Sequence, residues 1–223
     1  MNYKEEFIEL MVKSNVLQFG EFQAKSGRIT PYFINTGLYK YGKDLHELGK
    51  YYAEVFNQRC DHNQSVLYGP AYKGIPLVVI TATALADKFS INVPISFNRK
   101  EKKDHGEGGI IVGKVPTAED KVVIIEDVIT AGTAIRESIE IMDGIGVKNI
   151  DSIIIAVDRM EKGKGELSTL QELENELGIK TYPIVNINEI VKYLYNKSID
   201  GKIYIDDQMK QSIEKYLNKY GAR

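Results

Sequence analysis

Residues 122–134 read Val-Val-Ile-Ile-Glu-Asp-Val-Ile-Thr-Ala-Gly-Thr-Ala, and this stretch decides the fold. Its first four residues form an apolar run that is too continuous for a strand with one exposed face, so they predict a buried strand. Two acids and a loop of small residues follow, and residues 134–145 then have the pattern of a helix. The carboxyl end of a buried parallel strand is where ligands bind in α/β sheets.

The rest of the chain alternates in the same way. Strands are predicted at 65–69, 93–97, 121–126, 150–157 and 181–185, helices at 3–17, 44–59, 75–88 and 168–177, two more helices near the C-terminus, and short strands with turns at 19–39. Apolar strands that alternate with helices predict an α/β fold with a mostly parallel sheet, flanked by helices and joined by right-handed crossovers. Since no Pro-, Gly- or Ser-rich linker divides residues 1–223, we expect a single domain.

Composition excludes several classes of protein. The 223 residues carry 29 Lys+Arg against 31 Asp+Glu, and this balance argues against bulk binding to a nucleic-acid backbone. The single cysteine, Cys60, cannot form an intrachain disulfide, so a reducing compartment is favoured. No apolar run approaches the roughly 20 residues that span a bilayer, and the N-terminus lacks an apolar signal core. We therefore expect a cytoplasmic protein without a nucleic-acid or membrane partner.

The loop at 130–133 has the chemistry of an anion cradle. Successive N–H groups at the start of the following helix, with two threonine hydroxyls, can donate hydrogen bonds to phosphate. The preceding acids Glu126 and Asp127 cannot bind phosphate, but they suit ribose hydroxyls or a Mg²⁺ that bridges to phosphate. The loop lacks both GxxxxGK[ST] and GxGxxG. The simpler alternative is a plain strand–turn–helix with an acidic cap.

This segment resembles the phosphoribosyl-pyrophosphate (PRPP) motif of the type I phosphoribosyltransferases. Three further segments are similar to the orotate branch of that family: AKSGRITPYFIN at 24–35, YGPAYKGIP at 68–76 and NRKEKKDHGEGG at 98–109. The resemblance implies the type I phosphoribosyltransferase fold. It has a core of about residues 44–160, a small hood from about residues 1–40 plus C-terminal elements, and a flexible catalytic loop at about 99–110.

The resemblance also implies a reaction. Orotate and PRPP would give orotidine 5′-monophosphate and pyrophosphate, a step of pyrimidine (UMP) synthesis, with Mg²⁺ as cofactor. The metal would be held mainly by PRPP, with water-mediated contact near Glu126 and Asp127 and no direct protein ligand. In this family the loop at 99–105 reaches the neighbouring subunit's site, which implies a homodimer.

The resemblance assigns residues to PRPP one by one. The PRPP contacts would be Lys25, Tyr72, Lys73, Arg99, Lys100, Lys103, His105, Glu126, Asp127, Val128, Ile129, Thr130, Ala131, Gly132, Thr133 and Ala134. The catalytic candidates are Lys103, His105 and Asp127. Lys103 is expected to stabilise the leaving pyrophosphate, because catalysis needs a cation where negative charge develops. The simpler alternative for Lys73 is a surface lysine, and for residues 99–105 a solvated loop, although the glycines that follow can act as hinges.

Orotate, a flat ring with a carboxylate, needs an apolar wall and a guanidinium. By resemblance Phe33 and Ile34 would supply the wall and main-chain groups, Arg159 the guanidinium, and Thr130 a contact to the base. The alternatives are core packing for Phe33 and a surface salt bridge for Arg159. The family commonly has two phenylalanines where this chain has Phe33-Ile34, so ring stacking would be lost at Ile34.

Two other functions remain open from the sequence. One is a PRPP-binding regulatory protein of the same fold, which would bind the ligand without catalysis. The other is a phosphoribosyltransferase for a purine base. A basic loop at 99–105 without a separate DNA-binding segment argues against the first, and the segments at 24–35 and 98–109 argue against the second.

Overall fold

The computed structural model describes residues 2–24, 27–103, 109–129, 132–163 and 165–222, with only the main chain described at 102 and 103. The helices are α1 (Tyr3–Lys13), α2 (Gly42–Arg59), α3 (Gly74–Phe89), α4 (Thr133–Gly144), α5 (Thr169–Leu177), α6 (Ile187–Leu194) and α7 (Asp207–Tyr220). The strands are β1 (Leu17–Gln23), β2 (Ile29–Ile34), β3 (Ser65–Gly69), β4 (Ile95–Lys103), β5 (Gly109–Gly113), β6 (Lys121–Glu126), β7 (Ile150–Asp158), β8 (Lys180–Asn186), β9 (Ser198–Ile199) and β10 (Lys202–Ile203).

Six strands form the central sheet, in the order β5-β4-β3-β6-β7-β8. All neighbouring pairs are parallel except β4 with β5 at one edge. The side chains of β6 alternate between two apolar layers. Val123 and Ile125 belong to the layer that includes residues of α1, α2, α3, α6 and α7, and Val122 and Ile124 to the layer that includes residues of α4 and α5. The predicted mostly parallel sheet with helices on both faces is confirmed.

A separate antiparallel hairpin, β1–β2, lies outside the central sheet. The C-terminal helix α7 packs against β2, where the ring of Tyr216 meets the ring of Tyr32 edge-on at 5.9 Å. None of the helices in the described part of the chain is both long and apolar enough to cross a membrane.

Two boundaries differ from the sequence prediction by more than about two residues. The helix predicted at 3–17 ends at Lys13, because Asn15 takes a positive φ of 60° and Leu17 already begins β1. The loop predicted from Arg99 is a strand as far as Lys103, which pairs with Gly109 of β5. The charged residues at the end of β4 are tolerated in a strand because they belong to a hairpin with β5 at the edge of the sheet, and charged side chains are common at sheet edges. Strand β5 itself was missed.

Candidate functional site

A cavity of about 260 Å³ lies beyond the carboxyl end of β6, at the place that the sequence predicted. It is lined by Glu126, Asp127, Val128, Ile129, Gly132, Thr133, Ala134 and Ile135. Strands β3 and β7 flank β6 on its two sides. Turns that follow these three strands therefore converge on one edge of the sheet.

Asp127 is the centre of a charged network at this edge. One carboxylate oxygen, Oδ2, accepts hydrogen bonds from Thr36 Oγ1 at 2.5 Å and Lys73 Nζ at 2.8 Å, and Oδ1 accepts from Val128 N at 2.7 Å. Burial alone would raise the pKa of Asp127, but the bonds from Lys73 and Thr36 bring it below its ordinary value. Asp127 is therefore an ionised carboxylate at neutral pH.

Glu126 is buried beside it and behaves differently. Its Oε1 accepts a hydrogen bond from Asp127 N at 3.0 Å, and its main-chain carbonyl accepts one from the buried hydroxyl of Tyr52 at 2.8 Å. Burial, and next the negative charge of Asp127, raise the pKa of Glu126 to about 7. Two adjacent acids thus differ in protonation near neutral pH, so the edge carries less negative charge than its sequence suggests.

A tight turn presents Lys73 to the network. A Cβ added to Gly69 would lie 2.2 Å from the carbonyl oxygen of Gly74, so the turn closes only with glycine at this position. The Ala71–Tyr72 peptide is cis, and Ala71 N donates to Asn98 Oδ1 at 2.9 Å. The side chains of Tyr72 and Lys73 remain largely exposed and accessible to a ligand.

The start of α4 supplies the other side of the cavity. Gly132 has a φ of 72° and lies against the side chain of Leu173, so a larger residue there would be strained. Thr133 and Ala134 are exposed in the first turn of the helix, and Val128 and Ile129 are partly buried. Main-chain N–H groups in such a first turn have no partner within the helix and can bind an anion.

Two predicted cations lie on the β4–β5 hairpin. Arg99 Nη1 donates to the carbonyl oxygen of Gly109 at 3.3 Å, and Lys100 Nζ lies 3.6 Å from Glu137 Oε2. A second cavity, of about 340 Å³, is lined by Asn98, Arg99, Lys100, Ile110, Glu137, Glu140 and Ile141. Both cations therefore contact residues of their own chain, and Lys100 lies near helix α4.

The two residues predicted to form the apolar wall of the orotate site do not face the same way. Phe33 and Ile34 are neighbours in a strand, so their side chains point to opposite faces. The Phe33 ring is 39% exposed and stacks on Phe22 at 5.6 Å, whereas Ile34 packs against the buried core. A single wall made by both side chains is therefore wrong, and the pair at the surface is Phe22 with Phe33.

Arg159 is not the surface salt bridge of the alternative interpretation. Its side chain is only 16% exposed, its guanidinium carbon lies 4.8 Å from the centre of the Tyr32 ring, and it is paired with Glu161 at 2.6 Å. Burial alone would lower the pKa of Arg159, but Tyr32 and Glu161 raise it above its ordinary value. This guanidinium is fixed in place and charged, as recognition of a carboxylate requires.

Several predicted residues lie outside the described residues: Lys25, His105, Thr130, Ala131 and the side chain of Lys103. Sequence reasoning missed Thr36, Tyr52 and Glu161, which contact Asp127, Glu126 and Arg159 respectively. Thr36 follows a strand within Asn-Thr-Gly, which is an ordinary turn sequence. Only the fold brings it to an acid 91 positions away.

The guanidinium of Arg28 lies over the ring of Tyr220 at 4.9 Å. This contact attaches the turn before β2 to the C-terminal helix and is worth about 0.5–1 kcal/mol at a partly exposed position. Arg28 therefore has a structural role here.

Comparison with known proteins gives consistent results. Residues 38–181 match the model of the phosphoribosyl transferase domain family. The chain is 50% identical over 221 residues to an orotate phosphoribosyltransferase of Clostridium acetobutylicum, covering 99% of both chains, and 49% identical, with the same coverage, to one of Clostridium botulinum. A crystal structure of orotate phosphoribosyltransferase from Francisella tularensis superposes with a TM-score of 0.84 at 38% identity, covering 97% of this chain and 100% of that one.

Proposed function

The chain belongs to the orotate phosphoribosyltransferases, within the phosphoribosyltransferase family, and on that premise we propose that the edge around Asp127 binds PRPP. The protein has the type I phosphoribosyltransferase fold. As a pentosyltransferase of pyrimidine biosynthesis, it transfers the 5-phosphoribosyl group from PRPP to orotate. The products are orotidine 5′-monophosphate and pyrophosphate.

The observation that carries the PRPP proposal is the convergence of opposite charges beside an anion cradle. An ionised carboxylate on Asp127, the ammonium of Lys73 and the first turn of α4 adjoin one cavity. A ribose ring offers hydroxyls to the carboxylate, while its phosphate groups require N–H donors and cations. PRPP carries both kinds of group a few atoms apart.

Each described residue then has a role that its chemistry supports. Asp127 and Glu126 accept hydrogen bonds from the ribose hydroxyls, and the 5′-phosphate is surrounded by Val128, Ile129, Gly132, Thr133 and Ala134. Lys73, with Tyr72 beside it, binds pyrophosphate. The proposed contacts that rest on the family resemblance are those of Lys25, Arg99, Lys100, Lys103, His105, Thr130 and Ala131.

During the reaction a ring nitrogen of orotate attacks the anomeric carbon as pyrophosphate leaves. Negative charge gathers on the leaving group, so cations placed there stabilise the transition state more than the ground state. We assign this part to Lys103 and His105. Positive charge develops on the ribose ring at the anomeric carbon, and the carboxylate of Asp127, which we place at the ribose hydroxyls, stabilises it electrostatically.

The residues fit Mg²⁺ that arrives with PRPP. Among the described residues no three His, Cys, Asp or Glu side chains cluster as a metal site. Among the described residues that line this cavity, the acids are Glu126 and Asp127, and Asp127 is already paired with Lys73. Mg²⁺ commonly keeps several waters and binds through one or two carboxylates plus substrate phosphates. The bound metal would neutralise phosphate charge.

For orotate we propose main-chain groups of Phe33 and Ile34, the exposed ring of Phe33, Thr130, and Arg159 for the carboxylate. Support comes from the half-exposed aromatic pair on one side of the hairpin and the fixed guanidinium on the other. The orotate ring would therefore meet the main chain of Phe33 and Ile34 and the ring of Phe33, rather than one continuous apolar wall.

We also propose a cytoplasmic homodimer in which residues 99–105 of one subunit enter the site of the other. The test is subunit mixing between Lys103→Ala and Asp127→Asn, each of which alone should retain at most about a tenth of wild-type activity. If Lys103 acts across the interface, mixed dimers have one intact site and activity returns to about a quarter of wild type. If each site is built within one chain, mixing restores nothing.

The function itself is tested by offering several bases in one reaction. Orotate, uracil, adenine and hypoxanthine are incubated together with PRPP, Mg²⁺ and the protein, and the nucleotides formed are identified by mass spectrometry. We expect orotidine 5′-monophosphate alone. A purine nucleotide would favour the purine enzyme, and PRPP binding without any nucleotide would favour the regulatory protein.

A further inference from the structure

A cluster beyond the carboxyl end of β7 joins Glu161, Arg159 and Tyr32. One oxygen of Glu161, Oε1, accepts hydrogen bonds from Arg159 Nε at 2.9 Å, Arg159 Nη2 at 2.6 Å and the Tyr32 hydroxyl at 3.0 Å. The Tyr32 ring lies beneath the same guanidinium. Both charged side chains are less than one-fifth exposed, so this pair is held at low solvent accessibility.

The geometry leaves the guanidinium suited to a second carboxylate. A guanidinium has a side edge, formed by Nε and one terminal nitrogen, and an end edge formed by both terminal nitrogens. Glu161 binds the side edge, and Tyr32 stacks on the face. The plane and direction of the group are thereby fixed, while the end edge has the spacing that a ligand carboxylate needs.

Glu161 is itself anchored by the C-terminus of the chain. The main chain of Glu161 pairs with Gly221, Lys162 N donates to Tyr220 O at 2.8 Å, and Ala222 N donates to Met160 O at 2.8 Å. This short pairing ties the turn after β7 to the end of α7. The C-terminal end of the chain therefore supports the turn that carries Glu161.

We infer that Glu161 is a positioning residue that orients Arg159 for the carboxylate of orotate. The inference rests on the proposed placement of orotate at Arg159. Ordering a long side chain on binding reduces affinity, and a side chain that is already ordered avoids most of that loss. Glu161 acts through Arg159 and touches no substrate atom.

In a competing account, Glu161 occupies the guanidinium of Arg159 in the free protein, and the carboxylate of orotate must displace it. The two accounts predict opposite effects of Glu161→Gln, which keeps an oxygen acceptor and removes the negative charge. A displaced occupant would bind Arg159 less tightly as an amide, so the KM for orotate would fall. A positioning residue would hold Arg159 less firmly, so the KM would rise.

The experiment measures kcat and both KM values for Arg159→Ala, Glu161→Ala, Glu161→Gln and the double alanine variant. We expect Arg159→Ala to raise the KM for orotate by about tenfold or more, and Glu161→Ala by roughly five- to tenfold. Glu161→Gln should fall between Glu161→Ala and wild type. The KM for PRPP should change by less than about twofold in all four.

The double variant gives the decisive comparison. Because Glu161 acts only through Arg159, the double alanine variant should match Arg159→Ala in its KM for orotate. Additive effects, or an unchanged or lower KM in Glu161→Gln, overturn the inference. If Arg159→Ala itself leaves the KM for orotate unchanged, the proposed orotate site is wrong, and the inference fails with it.

Tyr32→Phe keeps the test decisive if Glu161→Ala does not fold. This variant retains the ring beneath the guanidinium and removes only the hydroxyl that donates to Glu161. We expect the KM for orotate to rise by about two- to fivefold, with kcat and the KM for PRPP unchanged. A Tyr32→Phe enzyme with equal changes for both substrates would contradict the positioning role.

Discussion

Lys73 Nζ lies 2.8 Å from Asp127 Oδ2, although 54 positions separate the two residues in the chain. The hydroxyl of Thr36 contacts both groups. Since the Lys73 side chain is 61% exposed, the ion pair contributes at most about 1 kcal/mol to stability. The ion pair matters more for placement, because it holds the ammonium beside Asp127, which lines the cavity, and a ligand phosphate could replace the carboxylate at little cost.

Asp127→Asn should lower kcat/KM for PRPP by about tenfold or more, because the ribose hydroxyls lose a charged acceptor. Steady-state kinetics with PRPP as the varied substrate measures this effect. Thr36→Val is the matched control, since it removes one hydrogen bond to Asp127 and keeps the charge. We expect it to lose only about two- to fivefold. Equal losses in the two variants would contradict a direct role for the carboxylate.

Glu126 should make stability depend on pH. In the folded protein burial and Asp127 raise its pKa from 4.5 to about 7, so folding takes up a proton between these pH values. The free energy of unfolding of the ligand-free protein therefore falls as the pH rises through that window, by on the order of 1–3 kcal/mol, and is level above it. The lowered pKa of Asp127 acts in the opposite sense and only below its ordinary value of 3.8.

Glu126→Gln removes this dependence, because an amide does not titrate. Denaturant unfolding at pH 5 and pH 8 should show wild type losing stability relative to the variant as the pH rises. Glu119→Gln, which changes an exposed acid, is the control and should follow wild type. A constant difference between wild type and Glu126→Gln across this range would mean that Glu126 titrates as an ordinary carboxylate.

Lys103→Ala should lower kcat by about tenfold or more while PRPP binding largely persists, because the lost charge acts mainly in the transition state. Turnover and the equilibrium binding of PRPP are measured on the same preparations. Lys102→Ala is the matched control, since it removes the same charge from the neighbouring residue of β4. Unchanged turnover in Lys103→Ala, or equal losses in both variants, would contradict the assignment.

Phe33→Ala should raise the KM for orotate by about two- to tenfold, because it removes an exposed ring that is stacked on Phe22. Ile34→Val is the control: Ile34 packs on the core, so this change should lower stability by about 0.5–1.5 kcal/mol and leave the KM unchanged. The measurements are orotate kinetics and denaturant unfolding. A raised KM in Ile34→Val would mean that its side chain, after all, contacts the base.

Much of the fold was predictable because β3, β6 and β7 are buried on both faces. Their apolar runs are so continuous that the sequence predicts strand, burial and parallel pairing together, and the observed strands Ser65–Gly69 and Lys121–Glu126 match the predicted bounds. Strand β5 was missed because the charged end of β4, which precedes it, has a pattern typical of a solvated loop, so no hairpin was predicted there. The charged end of β4 is a strand only because it pairs with Gly109–Gly113.

The site was predictable where the chemistry is local in sequence. Glu126, Asp127 and the loop after them lie in one motif, so their convergence on one cavity follows from a single strand–loop–helix unit. The contacts from Thr36 to Asp127 and from Tyr32 to Glu161 join residues 91 and 129 positions apart. Neither residue type nor spacing marks such partners, because tertiary packing alone decides them.

The most direct test of the central claim is an absorbance assay that follows the loss of orotate. Purified protein is mixed with orotate, and PRPP and Mg²⁺ are added singly and together, with the metal then removed by a chelator. We predict that orotate is consumed only when both are present and that chelation stops the reaction without unfolding the protein. Consumption without PRPP, or no consumption with both present while PRPP still binds, would contradict the account.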